Sequence, residues 1–158
     1  MAAYYASILY GALLTVGVSL AALLVSVLLG LLGAGAKLSG NRPLVALATG
    51  YTTIIRGIPE LVLMLLVFYG GSIGINHLLE LSGTGATLDI NPFTAGVLTL
   101  GFIYGAYMTE TFRGAILAIP RGQFEAAAAF GMGPVQIFLR ITAPQMVRHA
   151  VPGFTNNW

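Results

Sequence analysis

The sequence predicts an all-α fold, a polytopic bundle of transmembrane helices. Of its 158 residues, 57% are hydrophobic and only 8% are charged, whereas about 25% of the residues of a soluble globular domain are charged. Several uncharged stretches approach or exceed about 20 residues, the length at which a helix crosses about 30 Å of hydrocarbon. Turn-forming segments rich in glycine and proline separate these stretches. The composition therefore excludes an ordinary soluble domain.

Composition also argues against several functions. The chain has no cysteine, and its two histidines, His77 and His149, lack partners at metal-ligand spacing, so we expect no metal site. The seven cations form no basic stripe with interleaved aromatic residues, so nucleic acid is not an expected partner. The phosphate-loop pattern G-x-x-x-x-G-K-[ST] is missing and no carboxylates are paired for acid/base work. We therefore predict no bound cofactor and no enzymatic activity in this chain.

Residues 1–36 carry no charge and contain the first predicted span, at about 9–33. The apolar stretch is too long for a signal peptide and no cation precedes it. Turn formers and positive charge are predicted to end this span: Gly33 and Gly35, and then Lys37, Ser39, Gly40, Asn41 and Arg42.

Residues 43–55 are apolar but too few to cross a bilayer, which predicts a short interfacial helix. Arg56 and Pro59 follow, and the proline is predicted to break the helix because it lacks a backbone donor. Glu60 then falls in the first turn of the next helix, where it meets the positive end of the helix dipole. The block is therefore either a simple helix start or a broken helix near a transport path.

The second predicted span, residues 61–79, is uncharged and contains Gly70 and Gly74 at the G-x-x-x-G spacing that permits close helix crossing. Residues 80–91 are rich in glycine, serine, threonine and asparagine and predict a loop.

Pro92 opens the third predicted span, at about 92–112, in which Gly101 and Gly105 repeat the G-x-x-x-G spacing. Glu110 and Arg113 lie three residues apart on one helix face near its end. They predict either an ion pair at the membrane border or part of a gate or substrate contact.

Residues 120–144 form a segment that is suited to meet water and another protein: PRGQFEAAAAFGMGPVQIFLRITAP. Strong helix formers follow Pro120, and Gly131 can supply the left-handed turn that closes a helix. Pro134 is compatible with the first turn of a second helix, which we expect Pro144 to interrupt. The pattern predicts a helix, a glycine hinge and a second helix, with a fourth span starting after residue 147.

Positive charge predicts the orientation, because cytoplasmic loops are enriched in lysine and arginine. All seven cations follow span one or span three: Lys37, Arg42, Arg56, Arg113, Arg121, Arg140 and Arg148. We therefore expect the N-terminus and the loop 80–91 outside, and residues 120–144 in the cytoplasm. Arg56, Pro59, Glu60, Glu110 and Arg113 would then lie at the cytoplasmic ends of spans two and three.

The segment 120–144 resembles the cytoplasmic "EAA" loop of ABC importer permeases, E-A-A-x3-G-x9-I-x-L-P. The matching residues are Glu125, Ala126, Ala127, Gly131, Ile141 and Pro144, and Ala143 replaces the leucine of the pattern. In that family the loop docks a helix into a cleft of a separate ATPase subunit. The resemblance implies that Glu125 and Gly131 act in this coupling.

The block R-G-I-P-E at residues 56–60 and the run from Ala106 to Gly131 resemble the permeases for polar amino acids, most closely those for histidine, lysine, arginine and ornithine and for opines. The resemblance implies the permease domain of a type I ABC importer in a bacterial inner membrane. The implied partners are a second permease subunit, two ATPase subunits that bind ATP, an extracytoplasmic amino-acid-binding protein and lipid. It also implies that the chain is partial, with two further spans beyond Trp158.

Two other functions remain open at this point. An ATP-independent channel or secondary transporter would share the apolar composition, although no span holds the chain of buried charges that ion coupling usually needs. A structural subunit of a membrane assembly is the third alternative. The sequence does not identify the amino acid carried.

Overall fold

The structure, a computed structural model, describes residues 2–81, 83 and 91–157, and these residues form helices and no strand. The helices are α1 (Ala2–Leu38), α2 (Arg42–Gly57), α3 (Glu60–Leu65), α4 (Gly71–Leu81), α5 (Pro92–Leu117), α6 (Arg121–Ala129), α7 (Pro134–Ile137) and α8 (Ala143–Asn157). Two π-helical segments, Leu66–Gly70 and Phe138–Thr142, join α3 to α4 and α7 to α8.

Helix α1 is longer than the predicted span, because it continues through Gly33 and Gly35 to Leu38. The prediction is wrong for these two glycines, which lie inside the helix, whereas the later predicted turn formers Ser39, Gly40 and Asn41 do follow its end. Gly33 lies where α1 touches α5, and a Cβ atom at this position would be 2.3 Å from the Thr109 Oγ1 atom. The missing side chain of Gly33 therefore permits close packing of α1 against α5. The chain turns only at Gly40, whose φ is +70°.

Helix α2 ends at Gly57 and α3 begins at Glu60, with Pro59 at the N-cap position. The break falls where the missing backbone donor of proline predicts it. Glu60 occupies the first turn of α3.

Two helical segments of the described residues are long and apolar enough to cross a membrane, Tyr4–Leu38 and Glu60–Leu81. Helix α5, the third predicted span, has 26 residues but is not one of the two. Its glycine, threonine and tyrosine residues lower its hydropathy, and many of them are buried against α1, α2 and α8 rather than exposed to lipid. The predicted loop 80–91 begins later than expected, since α4 runs to Leu81, and residues 82 and 84–90 lie outside the described residues.

Helices α1 and α5 run parallel to each other. Along their interface, Gly17 faces Phe93, Val25 faces Gly101, Leu29 faces Gly105 and Gly33 faces Thr109. Both residue numbers rise together along these pairs, so the two helices start at one end of the bundle and finish at the other. The segment α3–α4 runs the opposite way, because Glu60 contacts Tyr104 while Phe68 and Tyr69 lie beside residues 96–100. Helix α8 returns along α5 and brings Gly153 against Thr111.

The two G-x-x-x-G pairs differ in their surroundings. A Cβ atom at Gly101 would lie 2.5 Å from Val25, and one at Gly105 would lie 2.8 Å from the Tyr51 hydroxyl. These positions form the close crossing that the spacing predicts. The corresponding expectation for Gly70 and Gly74 is not met within this chain, because nothing lies within 4 Å of a Cβ atom at either position.

Gly33 and Gly35 offer a matched test of this packing. Gly33→Ala forces a methyl group against buried Thr109, and overpacking of this kind costs about 1–3 kcal/mol. Gly35→Ala meets nothing within 4 Å and gains up to about 1 kcal/mol of helix preference. Thermal unfolding in detergent should therefore show a lower Tm for Gly33→Ala and an unchanged or higher Tm for Gly35→Ala. Equal Tm values for the two variants would contradict the interface.

Candidate functional site

Helix α6 follows α5 after only three residues, and these anchor it to the bundle. Ile119 is buried, and Pro120 takes the N-cap position of α6. On α6 itself Ala127 is 4% exposed, whereas Glu125 and Ala126 are exposed. The helix therefore packs on the chain through Ala127 and half-buried Phe124, and leaves the carboxylate of Glu125 free to reach another molecule.

Gly131 closes α6 in the way that its sequence position predicts. Its φ is +75°, a conformation that side chains resist. The Gly131 N–H donates to the Ala128 carbonyl over 2.9 Å, and the Met132 N–H donates to the Ala127 carbonyl over 3.1 Å. This pair of bonds is the Schellman motif, which satisfies the last carbonyl groups of a helix.

On both sides of the Gly131 hinge, the loop exposes apolar side chains at its surface. Phe130 is 89% exposed, and Val135 and Leu139 are also exposed. Exposed apolar side chains clustered on a loop are typical of a protein interface. Ile141, in contrast, is half-buried.

Pro144 does not interrupt the second helix of the loop, so the predicted interruption is wrong. The chain stays helical from α7 through the π-helical segment Phe138–Thr142 into α8. The Ala143 N–H donates to the Phe138 carbonyl, five residues back. This wider turn lies directly before Pro144 and accommodates the missing N–H of the proline. A proline is one of the known causes of irregularity in a helix.

Glu110 forms the predicted ion pair with Arg113 and a second pair that the sequence does not reveal. The Arg113 Nε atom donates to Glu110 Oε2 over 2.9 Å. The Lys37 ammonium group binds the other carboxylate oxygen and also donates to the Thr52 hydroxyl over 2.6 Å. We call Lys37, Thr52, Glu110 and Arg113 the Lys37 cluster.

The block around Pro59 packs against α5. Tyr104 donates its hydroxyl to Glu60 Oε2 over 3.3 Å, and the Arg56 guanidinium lies 5.4 Å from the ring centre of Tyr107. Tyr104 and Tyr107 precede Glu110 by six and three residues on α5. Arg56 and Glu60 therefore lie beside the part of α5 that is one to two turns before Glu110, where α2 ends and α3 begins.

A cavity of about 230 Å³ lies between α1 and α5 beside this block. Ser19, Ser26 and Tyr104 supply polar groups to its lining, and the remaining lining residues are apolar. Ser19 and Ser26 donate to carbonyl groups of their own helix, which leaves their oxygens able to accept hydrogen bonds.

These features describe a helical chain with two segments apolar enough to cross a membrane and, after α5, a loop that exposes apolar side chains and Glu125. Residues 26–158 match the family described as the binding-protein-dependent transport system inner membrane component. The chain belongs to this family. The resemblance of its sequence to amino-acid permeases and the predicted type I permease fold are both confirmed.

Similar proteins support the same assignment. The chain is 54% identical over 151 residues to the histidine/lysine/arginine/ornithine transport system permease protein HisQ of Escherichia coli (strain K12), a match that covers 96% of the chain and 66% of that protein. It is 40% identical to the octopine transport system permease protein OccQ of Rhizobium radiobacter, over 92% of the chain and 61% of that protein. The chain thus spans less than two thirds of the length of these relatives.

A solved structure is also similar. It is described as the crystal structure of an amino acid ABC transporter with histidines, and it superposes with a TM-score of 0.67 at 31% identity. The match covers 96% of this chain and 68% of the solved chain.

Proposed function

We propose that this chain is a permease subunit of an ATP-driven ABC importer for polar, and specifically basic, amino acids. The observation that carries the proposal is the loop after α5, where Glu125 is exposed on a helix closed by Gly131 in the "EAA" pattern. The names of its relatives, which are permeases for basic amino acids and opines, support the substrate class.

The proposed partners follow from this function. A second permease subunit completes the pathway, two ATPase subunits bind and hydrolyse ATP, and an extracytoplasmic binding protein delivers the amino acid. The chain itself contains no phosphate-loop sequence, so we place ATP on the ATPase subunits. ATP closes the ATPase dimer, the docked loops move together and the helices rearrange to open outward.

We place part of the substrate path at the break between α2 and α3. Arg56 and Glu60 carry opposite charges on either side of Pro59, beside the middle of α5. Transporters commonly bind charged substrates near the bilayer midplane at interrupted helices. An amino acid offers a carboxylate and an ammonium group that match these two side chains. Glu110 and Arg113, nearer the end of α5, we assign to a gate.

We propose that the N-terminus faces outward and that the loop after α5 faces the cytoplasm. The parallel course of α1 and α5 supports this orientation, because the positive charge that follows each helix then lies on one side. The opposite course of α3–α4 returns the chain to the outer side before α5.

Topology reporters test this orientation. A reporter fused after Gly83 should be active only outside the cytoplasm, and fusions after Gly40 and Gly131 should report the cytoplasm, because positive loops resist translocation. Equal expression of the three fusions, measured with an antibody against the reporter, is the control. A cytoplasmic signal after Gly83 would overturn the orientation.

Uptake in a strain that lacks the encoding gene tests the proposed substrate class. Deletion should lower uptake of labelled arginine, lysine and histidine more than uptake of glutamine, and complementation with the full-length gene should restore it. A preferential effect on glutamine uptake would exclude the basic substrate class, and unchanged uptake after deletion would argue for a structural subunit.

A further inference from the structure

The Lys37 cluster connects three helices inside the bundle through ion pairs and a hydrogen bond. Lys37 lies in the last turn of α1, Thr52 on α2 and Glu110 on α5. The side chains of Lys37 and Glu110 are only 10% and 18% exposed. Removing one partner from such an enclosed pair is far more costly than removing it from a surface pair, because the remaining charge loses its compensation.

The cluster holds Lys37 in one defined direction. The Thr52 hydroxyl is 3.2 Å from the Thr49 carbonyl and donates to it, so its oxygen is free to accept from Lys37. Arg113 binds one carboxylate oxygen of Glu110, which leaves the other oxygen for Lys37. Each polar group therefore orients the next.

Close packing reinforces the connection at the same level. Gly30 and Gly33 let the backbone of α1 approach Met108 and Thr109 of α5, where a Cβ atom on either glycine would lie within 2.4 Å of its neighbour. Met108 and Thr109 are fully buried. The ends of α1 and α5 are thus in contact immediately before Glu110.

The same end of α5 leads directly into the loop. Only two helical turns separate Glu110 from Leu117, and three residues then lead to α6. A displacement of α6 therefore acts on the part of α5 to which α1 and α2 are attached.

We propose that Lys37 is a positioning residue that transmits movement of the loop from α5 to α1 and α2. Through Glu110 and Thr52 it makes the ends of the three helices move as one body when the loop is displaced. The inference rests on the proposed function, because the displacement comes from the ATPase.

Lys37→Met tests this role in the complete complex, with Lys37→Arg as the conservative variant. Methionine keeps most of the length of the side chain and removes its charge, and Glu110 keeps Arg113 as its partner. We expect ATPase co-purification and basal ATP hydrolysis to stay at wild-type levels. Uptake, and the stimulation of hydrolysis by substrate-loaded binding protein, should fall about tenfold, the size of an ordinary coupling between two sites. Lys37→Arg should recover most of both.

Either of two results with Lys37→Met would overturn the proposal. One is unchanged uptake and unchanged stimulation of ATP hydrolysis, and the other is a loss of uptake that only parallels a loss of assembled complex. If Lys37→Met fails to accumulate, Thr52→Val removes the hydroxyl that accepts from Lys37 without removing a charge, and unchanged coupling in that variant would overturn the role. Failure of the wild-type complex to bind any ATPase would instead overturn the proposed function.

Discussion

Glu125→Lys should abolish the association of the permease with its ATPase while the permease itself remains assembled in the membrane. Glu125 is exposed on α6 and contributes nothing to the packing of the bundle. In the proposed complex its carboxylate meets a basic group of the ATPase, and loss of one partner of a buried interfacial charge pair costs about 2–5 kcal/mol. ATPase co-purification and uptake should each fall at least about tenfold, because every 1.4 kcal/mol is a factor of ten.

Gln123→Lys is the matched control. Gln123 is also exposed on α6, two residues before Glu125 and on a different face of the helix. The Gln123→Lys substitution adds a cation to the same helix, and the variant should retain ATPase association. If Glu125→Lys keeps full association and full uptake, the coupling role of this residue is wrong.

Gly131→Arg should have an effect of similar size for a different reason. The φ of +75° at this position costs a side-chain-bearing residue about 1–2 kcal/mol, and the arginine side chain also projects from the turn that closes α6. Nothing in the chain lies within 4 Å of a Cβ atom there, so the bundle itself has room for the new side chain. We therefore expect normal membrane abundance, with loss of ATPase binding or ATP hydrolysis without uptake.

Two further variants distinguish the effect of backbone strain at Gly131 from steric obstruction by the arginine side chain. Gly133→Arg places the same side chain two residues later, where φ is −72° and a Cβ atom also meets nothing, and it should have the smaller effect. Gly131→Asn tolerates the left-handed conformation and adds little bulk, so it should be intermediate. Equal activity of Gly131→Arg and Gly133→Arg would exclude a special role for the turn.

The elements of this fold could largely be predicted from local signals. Pro59 breaks a helix and Gly131 closes one, because each acts on the backbone at its own position. The spacing of Gly101 and Gly105 also indicated a close crossing correctly. The partner of that crossing, α1, lies about 76 residues away in the sequence, and no local pattern could identify it.

The same limit explains the wrong predictions. Gly33 was interpreted as a helix end, although tertiary contact with Thr109 requires a glycine inside the helix. Pro144 was expected to stop a helix that a π-helical turn allows to continue. Lys37 looked like a flanking charge, since its partner Glu110 is 73 residues later in the chain. The only sequence signal for this contact was that Lys37 lies one helical turn beyond Gly33, on the same face of the helix.

The most direct test of the proposed function is uptake of labelled arginine by proteoliposomes that contain the assembled complex, with substrate-loaded binding protein outside. Vesicles that enclose ATP should accumulate arginine, and vesicles that enclose a non-hydrolysable ATP analogue should not. Vesicles prepared with the Glu125→Lys permease and the same ATPase should accumulate as little arginine as vesicles with the analogue, even with ATP enclosed. Equal arginine uptake with ATP and with the analogue would contradict an ATP-driven importer and favour a channel or secondary transporter.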